Sequence, residues 1–136
     1  MRSTMMPEQL NISTILQFGS TVHSDAVVTT WTAEGPRKLS FGDLGKRAAQ
    51  LAHALRSLGI DGDQRVATFQ WNNSEHLEAY LAIPSMGAVL HALNIRLFPD
   101  QLVYTCTHAG NSAVIVDNTL APPFAKLLPH LQTLRH

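Results

Sequence analysis

The sequence predicts an α/β protein in which helices cover both faces of a parallel sheet, preceded by a small antiparallel hairpin. From Leu39 onward, apolar residues recur in alternation at helical and at extended spacings, a pattern typical of a parallel sheet between helices. Before Leu39, a segment rich in β-branched residues leads into a Gly-Pro turn, which indicates the hairpin. With 136 residues, of which 45% are hydrophobic, the chain is long enough to bury one core.

The first part of the chain predicts one short helix and the hairpin. Residues 11–17 place their apolar side chains on one side of a helix. Residues 26–33 predict a strand, and residues 34–37 (EGPR) predict the turn that follows, because Gly and Pro adopt the backbone angles of a reversal. Residues 38–41 return as the second strand.

A longer amphipathic helix follows the hairpin. Ser40 or Asp43 is suited to cap its first turn, and Gly59 ends it, because glycine accepts the left-handed conformation common after a helix. The residues that form its apolar stripe are Leu44, Ala48, Leu51, Leu55 and Leu58.

Alternating strands and helices occupy the rest of the chain. Residues 65–71 predict a strand, followed by a helix capped by Asn72, Asn73 or Ser74. Residues 88–93 are short and mostly apolar, which favours a strand buried on both faces.

The last predicted elements are a helix, a strand and a helix. The first of these helices begins near Pro99 and stops at Gly110. A buried strand over residues 113–116 and a helix over residues 121–128 follow it.

The composition excludes several classes of function. Ten basic residues balance ten acidic ones, so the chain lacks the excess positive charge with which proteins bind nucleic acids. The single cysteine, Cys106, suits a reducing compartment, and we expect a cytoplasmic protein. Pro84 and Gly87 interrupt the longest uncharged stretch, which is too short to span a membrane, although peripheral membrane contact stays open.

Local motifs for catalysis or metal binding are missing. The string Gly42–Arg47 has glycines too close together for a phosphate loop and favours a helix start instead. The seven histidines are scattered without the spacing of metal ligands, so no metal site is predicted. His91 lies within a predicted strand and should have a hydrogen-bond partner, and Cys106 lies on an inner helix face as an unreactive thiol.

The carboxyl ends of the predicted parallel strands are the candidate binding edge, because ligands gather there in open sheets. These ends are Gln70–Asn73, Asn94–Leu97 and Asp117–Asn118. Arg96 could bind a phosphate or carboxylate, with a solvated loop charge as the alternative. Asn72 or Asn73 could simply cap the next helix.

Four segments together resemble one known family. Residues 39–44 (LSFGDL), 58–67 (LGIDGDQRVA), 71–89 and 94–97 (NIRL) are similar to the opening motifs of adenylate-forming enzymes, a family that includes acyl-CoA synthetases, luciferases and peptide synthetases. Ile95 stands where that family has a proline.

This resemblance implies the N-terminal portion of a medium- or long-chain fatty-acyl-CoA ligase, catalytically silent by itself. The expected parts are an N-terminal segment (1–25), a hairpin (26–41) and an α/β layer (42–136) of an incomplete large domain. The whole enzyme would use ATP, Mg²⁺ and coenzyme A, whereas we expect this chain to bind no cofactor and to supply no catalytic residue. The family implies Arg96 as a coenzyme A phosphate contact and Trp71 and Asn72 as residues of the acyl-pocket rim.

The resemblance also implies the partners of the chain. The rest of the ligase large domain is the expected one, and an exposed apolar face would favour self-association. The alternative is a self-standing α/β interaction or regulatory module without catalysis.

Overall fold

The computed structural model describes Thr4 and residues 9–136. Ten helices and strands are present in these residues, together with short 3₁₀ turns at Asn118–Leu120 and Leu128–His130. In chain order they are α1 (Ile12–Thr21), β1 (Val27–Thr32), β2 (Gly35–Ser40), α2 (Phe41–Ser57), β3 (Arg65–Phe69), α3 (Ser74–Ser85), β4 (Val89–Ala92), α4 (Pro99–Ala109), β5 (Asn111–Val116) and α5 (Ala121–Ala125).

The strands form the two sheets that the sequence predicts. β1 and β2 pair as an antiparallel hairpin, and the other three strands form a parallel sheet in the order β4-β3-β5. Ala67 of β3 lies opposite His91 of β4 and Val114 of β5. The central strand is therefore β3, which comes first of the three along the chain. Its carboxyl end lies between the carboxyl ends of β4 and β5.

Helices cover both faces of the parallel sheet, as predicted. On one face, α2 and α3 pack against the sheet around Val66 and the fully buried Ile83. On the opposite face, α4 and α5 pack around Ala67, Phe69 and Leu102. Because successive side chains of β3 point to opposite faces, this one strand supplies both apolar clusters.

Local signals at the helix ends are confirmed. The side chain of Ser40 accepts a hydrogen bond from the backbone of Asp43 at the start of α2, and Asn73 does the same at the start of α3. Gly59 and Gly110 have positive φ angles after α2 and α4, as expected for glycines that end helices.

Three details of the sequence interpretation are wrong. The hairpin turn is Ala33–Glu34, and Gly35 already belongs to β2, where it pairs with Thr32. β4 is not buried on both faces: Val89 is 46% exposed, because β4 is an edge strand of this sheet. Leu58 follows α2 and is 45% exposed, and Ala52 takes its place in the buried stripe.

The helix α1 packs its small residues inward. A Cβ atom built on Gly45 of α2 would lie 2.6 Å from the Cβ of Ser20, so the absence of a side chain at position 45 permits this close approach. The larger side chains Ile15, Phe18 and Val22 are more than half exposed on the outer side of α1 and just beyond it.

In the part of the chain that the structure describes, no helix is both long and apolar enough to cross a membrane.

Candidate functional site

The candidate site lies at the carboxyl edge of the parallel sheet. Trp71–Asn73 follow β3, Asn94–Leu97 follow β4, and Asp117 follows β5. Because the three strands are parallel neighbours, these segments end at the same edge, as the sequence predicts.

Two hydrogen bonds connect the segment 71–73 to the end of β5. The indole Nε1 of Trp71 donates to Oγ1 of Thr119 over 2.9 Å. The side-chain amide of Asn73 donates to Oδ2 of Asp117 over 3.1 Å. Asn73 is also the cap of α3, since its Oδ1 accepts the backbone N–H of His76 over 2.9 Å. Of the alternatives for this pair of asparagines, capping therefore falls to Asn73, and the side chain of Asn72 is exposed.

Arg96 lies at the end of the neighbouring strand and is exposed. Its backbone N–H donates to Oδ1 of Asn94 over 3.0 Å, which fixes the turn that carries the guanidinium. Among the described residues, no ion pair includes Arg96. The neighbouring Ile95 and Leu97 are partly buried against the α4 and α5 cluster, so the loop is packed at both sides of the arginine.

A groove of about 330 Å³ separates the hairpin from α3. Asn72 lies in its wall, but Arg96 does not line it, so the structure does not bring these two predicted site residues into one cavity. The side chains and backbone that line the groove belong to Val28, Thr29, Thr30, Asn72, Asn73, His76, Leu77 and Tyr80.

His76 forms the floor of the candidate edge, and the sequence interpretation missed its role by grouping it with scattered histidines. The side chain is 8% exposed, and its Nε2 lies 2.9 Å from Oγ1 of Thr68, which is fully buried in β3. Burial lowers the pKa of His76, and the nearby backbone of Trp71 opposes that shift. The sequence signal that could have revealed this role is the position of His76 in the first turn of the predicted helix. Side chains there point back toward the helix N-terminus, and so toward the end of the preceding strand.

Polar contacts fasten the hairpin to α3 beside the groove. Thr30 Oγ1 accepts the backbone N–H of Ser74 over 2.9 Å in a buried position. Arg37 of β2 forms an ion pair with Glu75 at 2.6 Å, and this guanidinium holds the pKa of the Glu75 carboxyl below its usual range. Arg47 of α2 pairs with Glu78, whose side chain is only 8% exposed. The first two of these contacts join the hairpin and α3 into one wall.

Two residues considered for chemistry are structural. His91 has the predicted partner, since its Nδ1 lies 3.0 Å from Oδ1 of Asn111. Cys106 is 3% exposed, and burial raises the pKa of its thiol, which disfavours the reactive thiolate.

Within residue 4 and residues 9–136, no group of three or more His, Cys, Asp or Glu side chains is arranged to hold a metal ion.

Comparison with known proteins shows close similarity to one family over most of the chain. The family model "AMP-binding enzyme" matches residues 17–136. The chain is 36% identical to a long-chain-fatty-acid–CoA ligase of Thermus thermophilus over 135 aligned residues. The aligned region is 98% of this chain and 25% of that ligase. The chain is also 35% identical over 135 residues to a 3-methylmercaptopropionyl-CoA ligase of Ruegeria pomeroyi, with the same coverage of 98% and 25%. The chain therefore spans about a quarter of the length of these relatives, and what it matches is their N-terminal quarter.

Solved structures agree with this fold. The anthranilate CoA ligase AuaEII in complex with anthranoyl-AMP superposes with a TM-score of 0.85 at 22% identity, covering all of this chain and 26% of that one. The N-terminal domain of FACL13 from Mycobacterium tuberculosis gives a TM-score of 0.80 at 23% identity, covering 91% of this chain and 32% of that one.

Proposed function

Because the chain belongs to the AMP-binding enzyme family, we propose that it forms the first layer of a fatty-acid–CoA ligase that activates medium- or long-chain acids. The observation that carries this proposal is the match of nearly the whole chain to one quarter of CoA ligases, including relatives named for long-chain and medium-chain fatty acids. The proposed reaction joins a carboxylate to ATP and passes the acyl group to coenzyme A. We propose a cytoplasmic location, because the single cysteine suits a reducing compartment.

The three parts expected from the sequence have separate roles in this proposal. Residues 42–136 supply a parallel sheet with both faces covered, residues 26–41 add the hairpin wall, and residues 1–25 include the outer helix α1. The rest of the ligase large domain is the proposed partner. The Mg²⁺ that such an enzyme would use does not fit the described residues of this chain, which lack a metal-ligand cluster, so we assign it no ligand here.

Trp71 and Asn72 are the proposed rim of the acyl pocket. Both follow the central strand β3 and are exposed, while the side chains of Trp71 and Asn73 hydrogen-bond to Thr119 and Asp117. Arg96 is the proposed contact for a phosphate of coenzyme A. Its side chain is exposed on a packed loop at the same edge, and a guanidinium is suited to bidentate phosphate binding.

A chimeric ligase tests the proposed function. Residues 1–136 would replace the matching quarter of the Thermus thermophilus ligase, and pyrophosphate release and acyl-CoA formation would be measured with ATP, Mg²⁺ and fatty acids. We expect the chimera to be active and the isolated chain to release no pyrophosphate above a protein-free blank. Its sequence has no phosphate loop and its described residues have no metal-ligand cluster, so nothing there stabilises the charge that develops at phosphorus. The proposal fails if the isolated chain activates a fatty acid, or if the folded chimera activates none while the parent ligase does.

The Arg96→Ala variant of the same chimera tests the coenzyme A contact. We expect the KM for coenzyme A to rise about tenfold, which corresponds to the loss of a hydrogen bond to a charged group. The KM for ATP should stay within twofold of the parent value, because a surface substitution away from a binding site usually changes a free energy by no more than about 0.5 kcal/mol. Arg56→Ala, which removes an exposed arginine at the end of α2, is the matched control. Equal increases in both KM values would remove the assignment of Arg96.

A further inference from the structure

His76 is a buried titratable side chain between the central strand and the candidate edge. It lies in the first turn of α3, and its ring reaches back to Thr68 of β3, so the two bonded residues flank the segment 71–73. Its Nε2 is 2.9 Å from Oγ1 of Thr68, and its backbone N–H donates to Oδ1 of Asn73 over 2.9 Å, so His76 ties the end of β3 to the segment 71–73. The edge of the ring meets Tyr80, with the ring centroids 4.9 Å apart, so packing also limits its rotation.

Burial favours the neutral state of the ring, because it disfavours the charged form and lowers the pKa of His76. In a neutral imidazole one nitrogen accepts and the other donates, and the Thr68 hydroxyl can pair with either kind of nitrogen.

The segment above the ring is held from two directions. Toward β5, Trp71 and Asn73 bind Thr119 and Asp117, and toward β3 the support comes from His76. The indole of Trp71 is 49% exposed, so it is held by one hydrogen bond and by its backbone rather than by a surrounding core. Any shift of the Trp71 backbone would move the indole and the neighbouring Asn72 together.

We infer that His76 is a positioning residue for the acyl-pocket rim: its imidazole, bonded to Thr68, fixes the backbone that carries Trp71 and Asn72 beside the groove. This inference rests on the proposed function for the meaning of the rim, but the contacts that carry it are independent of any reaction. His76 touches no reacting group in it; it acts through the segment 71–73.

Fluorescence of the isolated chain tests the positioning role without any substrate. The sequence has two tryptophans, and Trp31 is 80% exposed at the hairpin, so Trp31→Phe leaves Trp71 as the only indole reporter. In that background, His76→Leu should raise the acrylamide quenching constant of Trp71 about twofold, because full exposure would double the accessible surface of a 49% exposed indole. The emission maximum should shift to the red.

A second pair of variants keeps the test decisive if His76→Leu does not fold. Thr68→Val removes the hydroxyl with little change in shape and should increase quenching, whereas Thr68→Ser keeps the hydroxyl and should restore the parent value. His53→Leu, which removes an exposed histidine from α2, is the matched control and should leave quenching unchanged. Parent-like quenching in folded His76→Leu or Thr68→Val chains would overturn the inference.

The chimeric ligase adds a kinetic readout that separates the two proposals. His76→Leu should raise the KM for the fatty acid and leave the KM for coenzyme A unchanged, since Arg96 lies on a different strand end. Equal increases in both KM values would contradict rim positioning. An inactive unsubstituted chimera would count against the proposed function alone, because the fluorescence result does not depend on catalysis.

Discussion

Replacing Ile83 with alanine will lower the free energy of unfolding by about 3 kcal/mol, the middle of the range for a fully buried isoleucine that leaves a cavity. Ile83 is 0% exposed in α3 and packs into the cluster that α2 and α3 form with β3. Its neighbours in that cluster belong to rigid helices and a central strand, which can collapse into the space only in part. Urea denaturation followed by circular dichroism measures the loss.

Val89→Ala is the control for this prediction. Val89 is also an aliphatic residue of the same half of the chain, but it is 46% exposed on the edge strand β4. We expect it to cost less than about 1 kcal/mol, because water already reaches much of the side chain. If the two variants were equally stable, the cluster that contains Ile83 would not be the packed core described above.

Removing the guanidinium of Arg47 will destabilise the protein by about 2 kcal/mol, although the residue itself is half exposed. The loss arises from Glu78, whose side chain is 8% exposed and receives two hydrogen bonds from Arg47. In Arg47→Met, that carboxylate stays in a poorly hydrated position without its partner. The free-energy cost of the unpaired charge exceeds the net free energy that the ion pair contributes to stability. The free energy of unfolding in urea is the quantity to compare.

A double variant and a neighbouring ion pair make this prediction specific. Arg47→Met combined with Glu78→Leu should regain stability to within about 1 kcal/mol of the parent, because it removes the buried charge together with its partner. Lys46→Met breaks the exposed pair between Lys46 and Asp43 on the same helix and should leave the free energy of unfolding nearly unchanged, because water already solvates both charges. A double variant as unstable as Arg47→Met alone would show that lost packing, and not the unpaired carboxylate, causes the effect.

The candidate edge could be predicted from the sequence, but its internal connections could not. Alternating strands and helices place Trp71, Asn72 and Arg96 after strands, and parallel pairing brings those strand ends to one edge. Nothing in a single sequence states that Trp71 binds Thr119, which is 48 residues away, or that Asn73 binds Asp117. The importance of His76 was missed for the same reason, since its partner Thr68 belongs to the preceding strand.

What the sequence by itself determined is local. The capping segments at the starts of α2 and α3, the glycine that follows α4 and the period of each element depend on hydrogen bonds and spacings within a few residues, although the structure chose Ser40 and Asn73 among the candidate caps. The motif resemblance likewise follows from the residues alone, and the family match confirms it.

Only the tertiary structure decided which faces are buried and which distant side chains meet. β4 has the composition of a buried strand, yet its side chains are partly exposed to solvent. The reason is that β3 is the central strand of the sheet and β4 lies at its edge. Arg47 and Glu78 lie 31 residues apart, and their pairing exists only because α2 packs against α3. Burial and long-range pairing are properties of the assembled layers, so the local periodicity that specifies each element leaves them undetermined.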